Sequence, residues 1–367
     1  FKRKGWYYLF SADTGTGEEH GQTIQRSRDV WGPYEMYQAA FMRKENENEA
    51  WSILTSRHRK DILLQKAGHC DLVETPEGDW YAVHLCGRAS DGYNPPDAPR
   101  FPGSRRYMLG RETAIQKMRW TEDEWLELDG GGTAPHTLVS IGKEDGEAVF
   151  EELRSVMDDF DRDSLDLDYQ SLRIPMDGHY INLRERPGWL RMYGRSGLAS
   201  RFSQSLIAKR VTEYDFMCGT CVDFAPENFK QLAGLIMLYD TDNYLYLHIS
   251  RDEDVGKCIT LLKAENKRYE YLTDYIPVPE NRNIRMKMIL KGIRLEVYYQ
   301  VEGEKEKQIA RIPDVSFLSD EACDEGWFTG LMCGICCQDL TGAGKYADFD
   351  WFKTAEGESA VEVKSKQ

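Results

Sequence analysis

The feature that most constrains this chain is the rhythm of its second half, where short segments of alternating apolar residues return at close intervals. Strand signals cover Arg201 to Val211, Asp215 to Phe224, Ala233 to Tyr239, Tyr244 to Ser250, Cys258 to Lys263, Ile284 to Leu290, Arg294 to Val301, Trp327 to Cys336 and Tyr346 to Phe352. Asp240-Thr241-Asp242-Asn243 and Lys291-Gly292 stand between them as hairpin turns. A two-residue period buries one face of a sheet, and many such strands with no long helical pattern predict a β-sandwich of the jelly-roll kind.

The first half carries a weaker repeat. Gly5-Trp6-Tyr7-Tyr8-Leu9-Phe10 is echoed by Gly78-Asp79-Trp80-Tyr81-Ala82-Val83-His84-Leu85, each a tight turn followed by an aromatic-rich strand. The second copy follows a strand at His69 to Thr75 and the turn Pro76-Glu77-Gly78-Asp79, so the unit is strand, turn, strand, as in a propeller blade. Long charged loops such as Arg88 to Arg106 belong at the mouth of a radial fold. Between the halves, Asp145 to Phe160 is acidic and places Val149, Phe150, Leu153 and Val156 at helical spacing, which predicts a linker with a helical turn or two. The chain thus divides into propeller blades at 1–145, a linker at 146–157, a sandwich at 158–355 and a polar tail at 356–367.

A net charge of −15 repels duplex nucleic acid and anionic membranes, whereas the 20 Tyr and 9 Trp suit a neutral ligand that stacks on aromatic faces, as sugars do. No apolar run approaches the roughly 20 residues that cross a bilayer. The 9 cysteines are odd in number and scattered through strand-like segments, which points to reduced thiols and a cytoplasmic setting. Phe1 already lies inside a strand pattern with no initiating Met, so this reading leaves a secretion signal open. Cys218-Gly219-Thr220-Cys221 and Cys333-Gly334-Ile335-Cys336 have the spacing of a four-thiolate zinc site, but both lie in apolar alternation rather than in turns, so buried thiols are expected. No Gly-x-Ser-x-Gly elbow or other nucleophile motif is present, and no helix start follows either cysteine pair to stabilise a thiolate.

Several strings, in order along nearly the whole chain, resemble glycoside hydrolase family 43 β-xylosidases. They are Trp31-Gly32-Pro33-Tyr34, Gln65-Lys66-Ala67-Gly68-His69, Leu109-Gly110-Arg111-Glu112-Thr113-Ala114-Ile115-Gln116, Leu172-Arg173-Ile174-Pro175, Arg186-Pro187-Gly188, Ser200-Arg201-Phe202, Phe328-Thr329-Gly330 and Tyr346-Ala347-Asp348-Phe349-Asp350. The resemblance implies an all-β protein: the later blades of a five-bladed β-propeller, followed by the family's jelly-roll β-sandwich. It also implies single-step inverting hydrolysis of xylo-oligosaccharides, with an Asp as general base, a Glu as general acid and a second Asp tuning the acid. In the family these three carboxylates precede the strand matching Phe1. The resemblance therefore assigns no catalytic residue to this chain and expects the early blades from the same polypeptide or a companion chain. Two blades alone would expose strand edges, which favour aggregation.

Four residues carry the substrate side of the resemblance. Arg111 matches an arginine that points into the pocket, where a guanidinium donates to sugar hydroxyls and keeps a nearby carboxylate ionised. Its structural alternative is an ion pair with Glu112, which is itself read as scaffold because neighbouring strand residues face opposite ways. His69 matches a histidine at the pocket base on the propeller axis, in some members in contact with calcium or its waters; alone, a strand histidine is more often core, and one imidazole cannot define a calcium site. No cofactor is required. Thr16 matches a pocket-lining threonine, although an exposed loop hydroxyl also serves as a turn former, and Thr14 stands where the family has the first glycine of acidic-Gly-Gly-Thr. Phe328 matches an aromatic that the sandwich places at the pocket rim, the alternative being ordinary core. The implied activity is a β-xylosidase with α-L-arabinofuranosidase side activity, in a homo-oligomer; the competing class is a non-catalytic carbohydrate-binding sandwich.

Overall fold

The computed structural model describes residues 1–38, 51–141, 154–325 and 329–357. Every named element in it is a β-strand. By its contacts the chain forms two compact units, Phe1–Ala89 with Arg111–Phe150, and Ser90–Gly110 with Glu151–Gln367.

The first unit contains two antiparallel sheets. One is built on Trp6–Asp13 and Gly21–Ser27, flanked by Lys2–Arg3, Glu35–Met36 and Ser52–Thr55. The other is a four-stranded meander of Leu64–Glu74, Trp80–Arg88, Glu112–Trp120 and Leu126–Leu128. Trp6–Asp13 and Trp80–Arg88 each run second in their sheet, so the aromatic repeat of the sequence marks equivalent strands of two blades. The turn before the second copy is closed by Gly78 N–H donating to the Thr75 carbonyl at 2.9 Å. Ile24, Leu54, Ala67, Leu72, Ala82, Met118, Leu126 and Leu128 form the buried core of this unit.

The second unit is a sandwich of an eight-stranded and a seven-stranded antiparallel sheet. Alternation decides its core: Leu235 and Met237, Leu245 and Leu247, and Ile259 and Leu261 point inward from one sheet to meet Met286, Met288, Leu290 and Val297 of the other. The observed strands Asp215–Asp223, Gln231–Asp240, Asn243–Asp252, Gly256–Glu265, Ile284–Lys291 and Arg294–Val301 follow the apolar alternation closely. Where the pattern extended a strand into Trp327, the described ladder starts at Met332, and Gly330 before it has a φ of 83°, which breaks a strand. Ser205–Arg210 is shorter than its signal because the preceding residues turn, with Phe202 exposed.

Two expectations change. Of the helical segment, Val149, Phe150 and Leu153 lie outside the described residues, but Ser155–Asp158 is a strand paired with Phe352 to Ala355, extending the sheet edge beyond Leu190–Tyr193. The loop placed at the mouth of the radial fold joins the sandwich unit from Ser90 onward: Asn94 Nδ2 donates to the Glu321 carbonyl at 2.8 Å, and Glu321 accepts from Tyr107 N–H at 2.8 Å. Gly110 and Gly330 of the two resembling strings approach so closely there that a Cβ on Gly110 would lie 2.7 Å from the Gly330 backbone.

The paired cysteine motifs are separated by strand geometry. Residues three apart in a strand face opposite ways. Cys218 and Cys333 enter the core between the sheets, Cys336 packs in a separate cluster on the other face of its sheet, and Cys221 lies by Arg285 and Asp350. Burial pushes the Cys221 and Cys336 thiols up to about 12, so both are protonated. All nine cysteines are free. No helix among the described residues is long and apolar enough to cross a membrane.

Candidate functional site

Three of the four residues singled out in the sequence fall in the first unit, on three separate segments. Thr16 sits in the loop between Trp6–Asp13 and Gly21–Ser27, half-buried. Arg111 immediately precedes the strand Glu112–Trp120 and donates from its guanidinium to the Thr16 carbonyl at 2.8 Å. The threonine therefore meets the arginine through its backbone. Glu112 takes Arg88 in a two-pronged pair at 2.8 to 3.1 Å, in keeping with a scaffold role for this carboxylate.

The loop's path is settled by Thr14. This residue adopts a φ of 57°, the left-handed conformation a glycine takes readily, and a β-branched residue there is strained. Its hydroxyl donates to the Glu19 carbonyl at 2.7 Å, a bond that glycine lacks and that closes the loop around Thr16. Asp13 at the loop's start pairs with Arg57 at 2.6 Å. Burial acts to raise its pKa, but the Arg57 hydrogen bond and charge outweigh this and hold the carboxyl below its ordinary range.

His69 is exposed and stands in a distorted stretch of Leu64–Glu74. The pairing with Trp80–Arg88 shifts register twice, between Gln65 and Gly68 and between Gly68 and Asp71, and both Lys66 and His69 have a φ of 57°. The amides freed by these bulges are recaptured by side chains: Cys70 N–H donates to Gln22 Oε1 at 2.7 Å, and Ala67 N–H to Ser56 Oγ at 3.3 Å. His20 packs against the distorted stretch, its ring 6.5 Å from that of His69 between centroids. Deeper in the same unit, Gln116 makes reciprocal bonds with the His136 backbone at 2.8 and 3.0 Å and approaches His84, and burial lowers the pKa of His84.

His20, Gln22, Ser56 and Arg57 were not singled out in the sequence. The available signals were His20 directly before Gly21 at a strand start, and the glycine of Gly68-His69, which marks a backbone that something approaches closely. Phe328 lies outside the described residues. The side chain recorded against the His69 ring is that of His20, an imidazole and not one of the oxygen donors that calcium prefers. Among the described residues no three His, Cys, Asp or Glu side chains converge as a metal site.

Comparison with known proteins decides the family. Residues 157–355, more than half of the chain, match the model described as Beta xylosidase C-terminal Concanavalin A-like domain, and residues 1–126 match Glycosyl hydrolases family 43. The chain belongs to glycoside hydrolase family 43. It is similar to the Xylosidase/arabinosidase 43B of Humicola insolens, at 35% identity over 96% of this chain and 62% of the relative, and to the Beta-xylosidase of Bacillus subtilis strain 168, at 34% over 96% and 63%. Among solved structures it resembles the xylan beta-1,4-xylosidase of Bacillus Halodurans C-125, with a TM-score of 0.85 and 36% identity over 97% of this chain and 64% of that one. The chain thus spans under two thirds of the length of these relatives. As in family 43 xylosidases, a propeller portion is followed by a concanavalin-like sandwich.

Proposed function

We propose that this chain is part of an exo-acting β-xylosidase that removes terminal β-1,4-linked xylose from xylo-oligosaccharides by single-step inverting hydrolysis, with α-L-arabinofuranosides as secondary substrates. The observation that carries the reading is the meeting of Arg111 with the Thr16 loop beside His69, inside a chain with family 43 relatives named xylosidases and arabinosidases. An inverting site needs two carboxyl groups about 6.5 to 9.5 Å apart, with a water between one of them and the anomeric carbon. Asp13, the carboxylate at the start of the Thr16 loop, is committed to Arg57 and is a poor proton carrier. The general base and general acid come from outside these residues, in further propeller blades of the same or a companion chain.

In this reading Arg111 donates to the sugar hydroxyls and favours the ionised form of the neighbouring base, His69 shapes the pocket floor, Thr16 lines its wall and Phe328 closes the rim. No step runs through a metal. The protein works in a reducing compartment, in keeping with its free thiols, and as a homo-oligomer. The test is p-nitrophenyl β-D-xylopyranoside hydrolysis by the full-length protein with intact-mass analysis. Arg111→Ala should lower kcat/KM by about 100-fold or more, at an unchanged thermal midpoint. Xylan binding without release from either nitrophenyl pentoside would favour the carbohydrate-binding class instead.

A further inference from the structure

His20 is the least explained polar group of the first unit. Its side chain is 1% exposed, yet neither ring nitrogen has a hydrogen-bond partner among the described residues. A buried polar atom left unpaired destabilises the fold, so an apolar side chain would serve a purely structural role better. The ring is held from two directions. On one side is Gly68: a Cβ built there would lie 2.5 Å from His20 Cδ2 and 2.6 Å from Nε2, so the missing side chain is what admits the imidazole. On the other side are the backbone oxygens of Asp13 and Gly15, in the loop that carries Thr16. The histidine's own carbonyl is tied to Thr55 Oγ1 at 2.7 Å, which fixes the loop's end. Burial lowers its pKa, outweighing the backbone groups of Asp13 and Gly15, which act to raise it.

We propose that His20 is a positioning residue for the sugar site, a spacer that sets the separation between the Thr16–Arg111 wall and the left-handed bulge presenting His69. Its bulk braces Gly68 and fills the space up to the backbone of the loop that carries Thr16. This rests on the reading of the site given above, and it adds a residue that touches neither substrate nor reacting atoms.

The test uses His20→Ala and His20→Phe in the full-length protein, with steady-state kinetics on the nitrophenyl xyloside, thermal midpoints, and a crystal structure of His20→Ala. Misplacing binding groups by about 1 Å costs on the order of 100-fold, so His20→Ala should raise KM about 10-fold or more. Partial unfolding lowers the apparent kcat and leaves KM alone, so a rise in KM separates positioning from mere stability. His20→Phe keeps the bulk and should recover at least half of the lost log kcat/KM; no recovery would contradict the bracing role. A parental KM in His20→Ala would overturn the proposal. If the parent protein releases no xylose, the proposed activity falls, and the crystal structure still decides this point. His69 leaving its positive-φ conformation supports the spacer, and a His69 backbone and ring in their original places refute it.

Discussion

The two units of this chain spend their polar groups differently. In the sandwich, strands such as Gln231–Asp240 and Asn243–Asp252 hold register over most of their length, and their inward faces are almost uniformly aliphatic. In the propeller unit, one strand shifts register twice between Gln65 and Asp71 and holds two non-glycine residues at positive φ. His20, Gln22, Gln65, His84 and Gln116 are buried there beside a smaller apolar core. The distorted strand and its positive-φ pair lie where residues of the proposed site are presented, whereas the central ladders of the sandwich fill a core.

The contrast can be attacked from both sides. The largest expected loss of stability is from Leu247→Ala, which opens a cavity between the sheets: about 3 to 4 kcal/mol in urea unfolding, with KM unchanged. Next is the pH response of the sandwich. Complete burial lowers His248 to about 4, against about 6.5 when unfolded. Between those values the unfolded chain binds the extra proton. Its contribution, about 3 kcal/mol, is therefore fully present above pH 6.5 and lost as pH falls through 4. Urea midpoints from pH 7.5 to 4 should show the fall, and His248→Phe should flatten it.

Asp348 tests whether the sandwich has a polar weak point of its own. It is a nearly buried carboxylate held by Arg186 at 2.9 Å and by Arg191 at 2.8 and 2.9 Å, with the Arg186 guanidinium also stacked 3.6 Å from the Trp189 ring. Asp348→Ala removes the buried carboxylate that both arginines share, leaving Arg186 with Asp223 and Arg191 with Glu185, and should cost about 2 kcal/mol, measured by the same unfolding curves. The smallest effect belongs to the propeller unit. Thr14→Gly relieves about 1 kcal/mol of left-handed strain but loses the hydroxyl bond to Glu19 and adds unfolded-state entropy, so stability should change by less than about 0.5 kcal/mol.

The same contrast explains what could be read in the sequence. Arg294–Val301 matches its apolar pattern at both ends because alternation is dictated by a one-sided core. Arg268–Tyr271 and Lys307–Ile312 escaped notice because they are exposed edge strands, whose pairing leaves no hydrophobic period to detect. Ser155–Asp158 ends a segment whose four apolar residues match a 3.6 period, while its conformation is set by pairing with a free edge on a distant strand. At the site, Arg111, Thr16 and His69 came from the resemblance. Gln22 and His20 did not, because their work is to recapture a bulge's amide and to fill a glycine's space, and neither task leaves a local pattern in the residues that perform it.

The most direct measurement is a crystal structure of the full-length protein with xylose bound. A sugar hydroxyl within hydrogen-bond distance of the Arg111 guanidinium, with the His69 ring against the same pyranose, is the expected result. Xylose found on the sandwich alone, with Arg111 still engaged only by the Thr16 carbonyl, would contradict the assignment of these residues to a pentose site.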